Sequence, residues 1–154
     1  MIFEGRNKQI HLVTTNRCFF NCKHCCGTKD SSELSVNTIF SLMEYAEKTE
    51  ADMDWGGGEI LTRGKSFLKA VTEKFNGKMF NTLYSTLHIM LDDEWVKLLN
   101  RFDRLLFSLD SYRLSIENYD ISLVLKNVKK LSIKEKVASY TPSLHDSKKQ
   151  YEKY

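Results

Sequence analysis

Residues 8–26 read KQIHLVTTNRCFFNCKHCC, and the change of character within this stretch decides the fold. Its first half, 8–14, combines β-branched residues with alternating polarity, the pattern of a strand. Its second half holds Cys18, Cys22, Cys25 and Cys26, all four cysteines of the chain. So close a group is a poor layout for disulfides joining distant parts of a secreted fold, and it reads as metal binding in a reducing compartment.

Working outward, the sequence alternates helix and strand patterns. A helix is predicted over 35–48, capped by Ser35, with Ile39, Leu42, Met43 and Ala46 on one face. A second strand at 51–55 runs into Gly56, Gly57, Gly58 and Glu59, and a helix over 65–75 buries Phe67, Leu68, Val71 and Phe75. A third strand at 79–86 precedes a helix opened by Asp92, whose acidic first turn suits the positive end of the helix dipole. A fourth strand at 104–109 leads to Asp110, a helix over 119–131 and a fifth strand at 137–141. This order predicts an α/β fold, a partial (β/α) barrel of about five parallel strands. At 154 residues it forms one domain, 1–154, with its core over about 8–141 and a polar tail at 145–154.

Basic and acidic residues, 23 and 20, are interleaved and leave a formal charge of +3. That balance is too mild to attract nucleic acid or a membrane surface by charge alone. No segment approaches the ~20 apolar residues that span a bilayer, and residues 1–9 are charged where a signal peptide is apolar. A cytoplasmic protein with no nucleic-acid or membrane partner is expected.

Cys18, Cys22 and Cys25 share one short loop directly after the first strand, close enough to converge on one inorganic centre. Clusters used for electron transfer take four cysteine ligands, so three would leave one iron of a cubane open to a further ligand. Two alternatives use the same residues: zinc held by the three with Cys26 or His24, and a register in which Cys26 replaces Cys25.

The Gly56-Gly57-Gly58-Glu59 turn falls at the carboxyl end of its strand, the catalytic end of a barrel of parallel strands. Missing side chains let the backbone approach a ligand, and carbonyls there, assisted by Glu59, suit an ammonium group. Ser108 and Asp110, two apart on a strand, face the same side; they read either as a pair suited to ribose hydroxyls or as a strand end whose aspartate starts a turn. His88, after the third strand, reads either as a proton donor or base near neutral pH or as a structural histidine.

The CxxxCxxC spacing after a first strand, with Gly57-Gly58-Glu59 one βα unit later, resembles the radical SAM superfamily. The resemblance covers about 8–141. It implies a [4Fe–4S] cluster on Cys18, Cys22 and Cys25, and S-adenosylmethionine whose amino group meets Gly57, Gly58 and Glu59. His24 takes the position, usually aromatic, that lies near the adenine, and Ser108-Leu109-Asp110 is similar to a stretch of peptide-modifying members. The implied activity is reductive cleavage of S-adenosylmethionine and hydrogen abstraction from a peptide or protein. It needs an external electron donor such as flavodoxin or ferredoxin. A glycyl-radical activating enzyme is the alternative within the family. Outside it stand a non-catalytic zinc or iron–sulfur interaction module and an inactive truncated relative.

Three departures are visible. Ile60 replaces the proline that often follows the glutamate, and Leu87 and His88 stand where many relatives carry a threonine-asparagine-glycine turn. The usual sixth strand is missing, so the fifth-strand edge is expected to be covered by the tail, by self-association or by a partner peptide.

Overall fold

The computed structural model describes residues 8–22, 25, 27–28, 30–109 and 119–139. Five strands, β1 (Gln9–Val13), β2 (Asp52–Gly56), β3 (Asn81–Ser85), β4 (Arg104–Ser108) and β5 (Glu135–Ser139), form one parallel sheet in chain order. Helices α1 (Val36–Thr49), α2 (Gly64–Thr72), α3 (Asp93–Leu99) and α4 (Ile121–Lys130) carry the chain between successive strands. Crossovers between parallel strands are right-handed. With strand order following chain order, these helices therefore lie over one face of the sheet.

That face holds the core. Leu12, Met53, Trp55, Leu83, Leu105 and Phe107 from the strands belong to one buried cluster with helix residues such as Ile39, Leu68, Leu99 and Val124. Local chemistry fixes where the helices begin. The Ser35 hydroxyl accepts from Thr38 N–H at 3.0 Å, the Asp92 carboxylate from Trp95 N–H at 3.0 Å, and the Asp120 carboxylate from Ser122 and Leu123 N–H. Asn127 of α4 is buried and donates to the carbonyls of Leu87 and Ile89, fastening α4 to the exit of β3.

The opposite face is polar and partly open. The strand register sets His11 beside Asp54, Asp54 beside Thr82, Thr82 beside Arg104 and Arg104 beside Glu135, a row that crosses the whole sheet. His11 Nε2 lies 3.0 Å from Asp54, and Arg104 Nε donates to Glu135 at 2.6 Å. Burial, reinforced by the neighbouring Asp54 carboxylate, pushes the Tyr84 phenol above its ordinary pKa. Val13 and Val137 at the two edges are exposed.

Several boundaries differ from the sequence reading by one to three residues, and two of the differences have a visible cause. The fifth strand begins at Glu135 rather than 137, because Arg104 fixes Glu135 across the β4–β5 pair. The helix expected from 65 is preceded by a 3-10 turn, Ile60–Arg63, which the Glu59 carboxylate caps through Leu61 N–H. Among the described residues β1 and β5 form the sheet edges. The tail at 145–154 lies outside those residues. No helix among the described residues is long and apolar enough to cross a membrane.

Candidate functional site

The stretch after β1 leaves the sheet and returns to it within a few residues of its departure point. Thr15 and Glu33 form an antiparallel bridge, Asn16 N–H donates to Ser32 O at 3.0 Å and Leu34 N–H to Thr14 O at 3.1 Å. The Asn16 amide reaches Thr28, Asp30 and Ser32, while Asp30 accepts from Ser32 N–H and hydroxyl. The Ser32 hydroxyl and N–H, followed by the Asn16 amide, hold the Asp30 carboxyl down to about 2. Cys18, Cys22 and Cys25 sit on the loop closed by this base. Cys22 is buried, Cys18 half-buried and Cys25 exposed.

The glycine turn after β2 docks directly on this loop. Gly58 N–H donates to Thr15 O and Glu59 N–H to Arg17 O, both at 2.7 Å. Arg17 is the residue before Cys18, so the turn is bonded to the backbone that presents the first cysteine. Glycine is required here by close approach. A Cβ on Gly58 would lie 2.2 Å from Arg17 O, and one on Gly57 2.4 Å from Thr15 O; Gly57 also holds φ at +124°.

Arg63 adds a third tie. Its Nη1 donates to Thr14 O at 2.9 Å and Leu34 O at 2.8 Å, its Nε lies 3.5 Å from Glu33, and its guanidinium stacks over Phe67. Glu33 also binds Arg17. Burial, with the charge of Arg17 adding to it, lowers the pKa of Arg63 from its ordinary value. The base of the cysteine loop, the turn and the start of α2 thus form one unit.

Glu59 is held by the exit of β3 and by the turn that follows it. Its carboxylate is buried and accepts four hydrogen bonds, from Leu61 N–H, Ser85 hydroxyl, Thr86 N–H and Thr86 hydroxyl, at 3.2, 2.8, 2.6 and 2.6 Å. A carboxylate offers about four lone-pair positions, and these four bonds tie the side chain to the β3 exit and to Leu61. The carbonyls of Gly57 and Gly58 accept no hydrogen bond from the described residues.

Among the described residues no three His, Cys, Asp or Glu side chains gather as a single metal ion requires. The donor set, three thiols on one loop, suits three irons of a cubane, each thiolate binding its own iron.

The sequence matches the Radical SAM superfamily over residues 12–139. The chain belongs to the radical SAM superfamily. No curated protein matches it. Among solved structures it is similar to native anSMEcpe with bound AdoMet and Cp18Cys peptide, at 17% identity and TM-score 0.65, covering 86% of this chain and 42% of that one. It is similar also to native anSMEcpe with bound AdoMet, at 17% identity and TM-score 0.66 with the same coverage. This chain therefore spans less than half the length of those structures, and the likeness shows the shared fold.

In this radical SAM fold Ser108 ends β4 on the open face, half-buried, and its carbonyl accepts from the Tyr119 hydroxyl at 3.0 Å. His88 Nε2 accepts from Asp120 N–H at 2.8 Å, which gives the ring a structural partner. His24, Cys26 and Asp110 lie outside the described residues. Arg63 escaped sequence reading because a lone arginine before a helix reads as a solvated charge; no local pattern marks Thr14, Glu33 and Leu34 as its partners.

Proposed function

We propose that this chain uses a [4Fe–4S] cluster to cleave S-adenosylmethionine reductively and abstract hydrogen from a peptide or protein. The observation that carries the reading is the docking of the glycine turn on the cysteine loop. Two 2.7 Å hydrogen bonds bring Gly57 and Gly58 beside the backbone entering Cys18.

Cys18, Cys22 and Cys25 would hold the cluster, which when bound supplies the electron that splits S-adenosylmethionine into methionine and a 5′-deoxyadenosyl radical. The carbonyls of Gly57 and Gly58 are acceptors at the carboxyl end of β2, suited to the ammonium of the methionine moiety. Glu59 keeps those carbonyls in place by bonding the β3 exit. Ser108, with Asp110, would meet the ribose hydroxyls, and His24 the adenine. The open face of the sheet, with Val13, Tyr84 and Val137, offers the wall on which a substrate lies.

The peptide substrate rests on the likeness to anSMEcpe, two of whose structures contain a peptide. An external donor such as flavodoxin or ferredoxin would supply the electron, and the fifth-strand edge is a place for a partner or second copy. The test is spectroscopic. After anaerobic reconstitution and reduction, S-adenosylmethionine should alter the electron paramagnetic resonance of the cluster in the wild-type chain. A spectrum insensitive to S-adenosylmethionine contradicts the proposal.

A further inference from the structure

Phe20 stands midway between Cys18 and Cys22, and its ring packs edge-on against two others. The His88 ring lies 5.2 Å away at 67° and the Tyr119 ring 5.5 Å away at 61°, while His88 and Tyr119 stack on each other at 5.2 Å and 14°. Edge-to-face and offset-stacked rings at these separations attract one another beyond their burial. Both walls of this slot are fixed from behind. His88 follows Leu87, whose carbonyl is held by Asn127 and whose own φ is +53°, and His88 Nε2 takes the N–H of Asp120, the cap of α4. Tyr119 is tied by its hydroxyl to Ser108 O at the end of β4.

We infer that His88 and Tyr119 are positioning residues for the cysteine loop, acting through Phe20 to hold the stretch between Cys18 and Cys22 against the exits of β3 and β4. The inference rests on the cluster-binding reading for its purpose, but the contacts act in the metal-free chain as well. The base of the loop is fixed by Thr15, Asn16 and Arg63, whereas this slot fixes its far side. Without it the loop is fixed at its base only, and Cys22, buried in the folded chain, is expected to become accessible.

The two functions of His88 can be separated. His88→Gln retains an acceptor for Asp120 N–H and removes the ring; His88→Phe retains a ring and removes the acceptor. Two rates are measured: alkylation of Cys22 by iodoacetamide in the metal-free chain, mapped by mass spectrometry, and loss of iron to a ferrous chelator after reconstitution. In His88→Gln both rates should rise about tenfold, the size of effect two ring contacts give, with the melting temperature lowered by a few degrees. His88→Phe should restore both rates while melting a few degrees lower. Tyr119→Leu, which removes the other wall, should move the same two rates. Wild-type rates in His88→Gln, or rates in His88→Phe as fast as those of His88→Gln, overturn the inference. A wild-type chain that takes up no iron sinks the cluster reading instead, and the alkylation of Cys22 still decides the positioning role.

Discussion

Gly58→Ala probes the contact on which the site is built. The added Cβ would lie 2.2 Å from Arg17 O, 2.7 Å from Arg17 C and 2.7 Å from Asn16 O, all backbone atoms that no rotamer change can clear. Restoring an ordinary carbon–oxygen contact requires the loops to separate by about 1 Å. The two 2.7 Å bonds, Gly58 N–H to Thr15 O and Glu59 N–H to Arg17 O, then stretch to about 3.7 Å and cease to be hydrogen bonds. At ~1 kcal/mol each the loss is about 2 kcal/mol, which for a domain of this size lowers the melting temperature by roughly 4–8 °C. Thermal unfolding by circular dichroism measures it, and iron content after reconstitution reports on the loop. Gly77→Ala is the control. Gly77 has φ at +78° with nothing within 4 Å of its added Cβ, so it costs ~1–2 kcal/mol of backbone strain and leaves iron uptake intact. A Gly58→Ala chain that melts and binds iron like wild type refutes the docking of the two loops.

Further outcomes follow from the same network. Glu59→Gln puts an amide donor among four donors and should lower stability by about 3 kcal/mol in urea titrations, since buried donors lose their acceptor; an unchanged midpoint would show that the carboxylate does not organise the β3 exit. Arg63→Met leaves the carbonyls of Thr14 and Leu34 without their donor and should cost about 1–3 kcal/mol, read from the same titration, with no loss contradicting the tie. Asp30 has a folded-state pKa below its ordinary value, so its bonds to Ser32 and Asn16 stabilise the loop base above about pH 4 and are lost as pH falls through about 2. Carboxyl chemical shifts should place its titration midpoint near 2, and a midpoint near 3.8 would contradict the network.

Much of this was legible in the residues themselves. Ser35 and Asp92 cap the helices the sequence assigned to them, and the strand and helix patterns alternate in the order the sheet adopts, because periodicity and caps are local signals. The site was legible as spacing, since the cysteines follow a strand and the glycines follow the next. What the sequence hid is long-range geometry. Nothing local shows that the Glu59 carboxylate accepts from Ser85 and Thr86, residues 26 and 27 positions away. Glu135 joins the fifth strand because Arg104 waits across the sheet, and no strand propensity at 135 announces it. Phe20, His88 and Tyr119 lie far apart in the sequence, and only the folded chain makes them neighbours.

The most direct measurement is the formation of 5′-deoxyadenosine. The chain is reconstituted with iron and sulfide without oxygen, reduced with a strong one-electron donor and given S-adenosylmethionine, beside Cys22→Ala treated identically. Nucleoside should accumulate with the native chain and not with the variant. Equal amounts from both, or none from the native chain loaded with its cluster, would contradict the assignment of Cys18, Cys22 and Cys25.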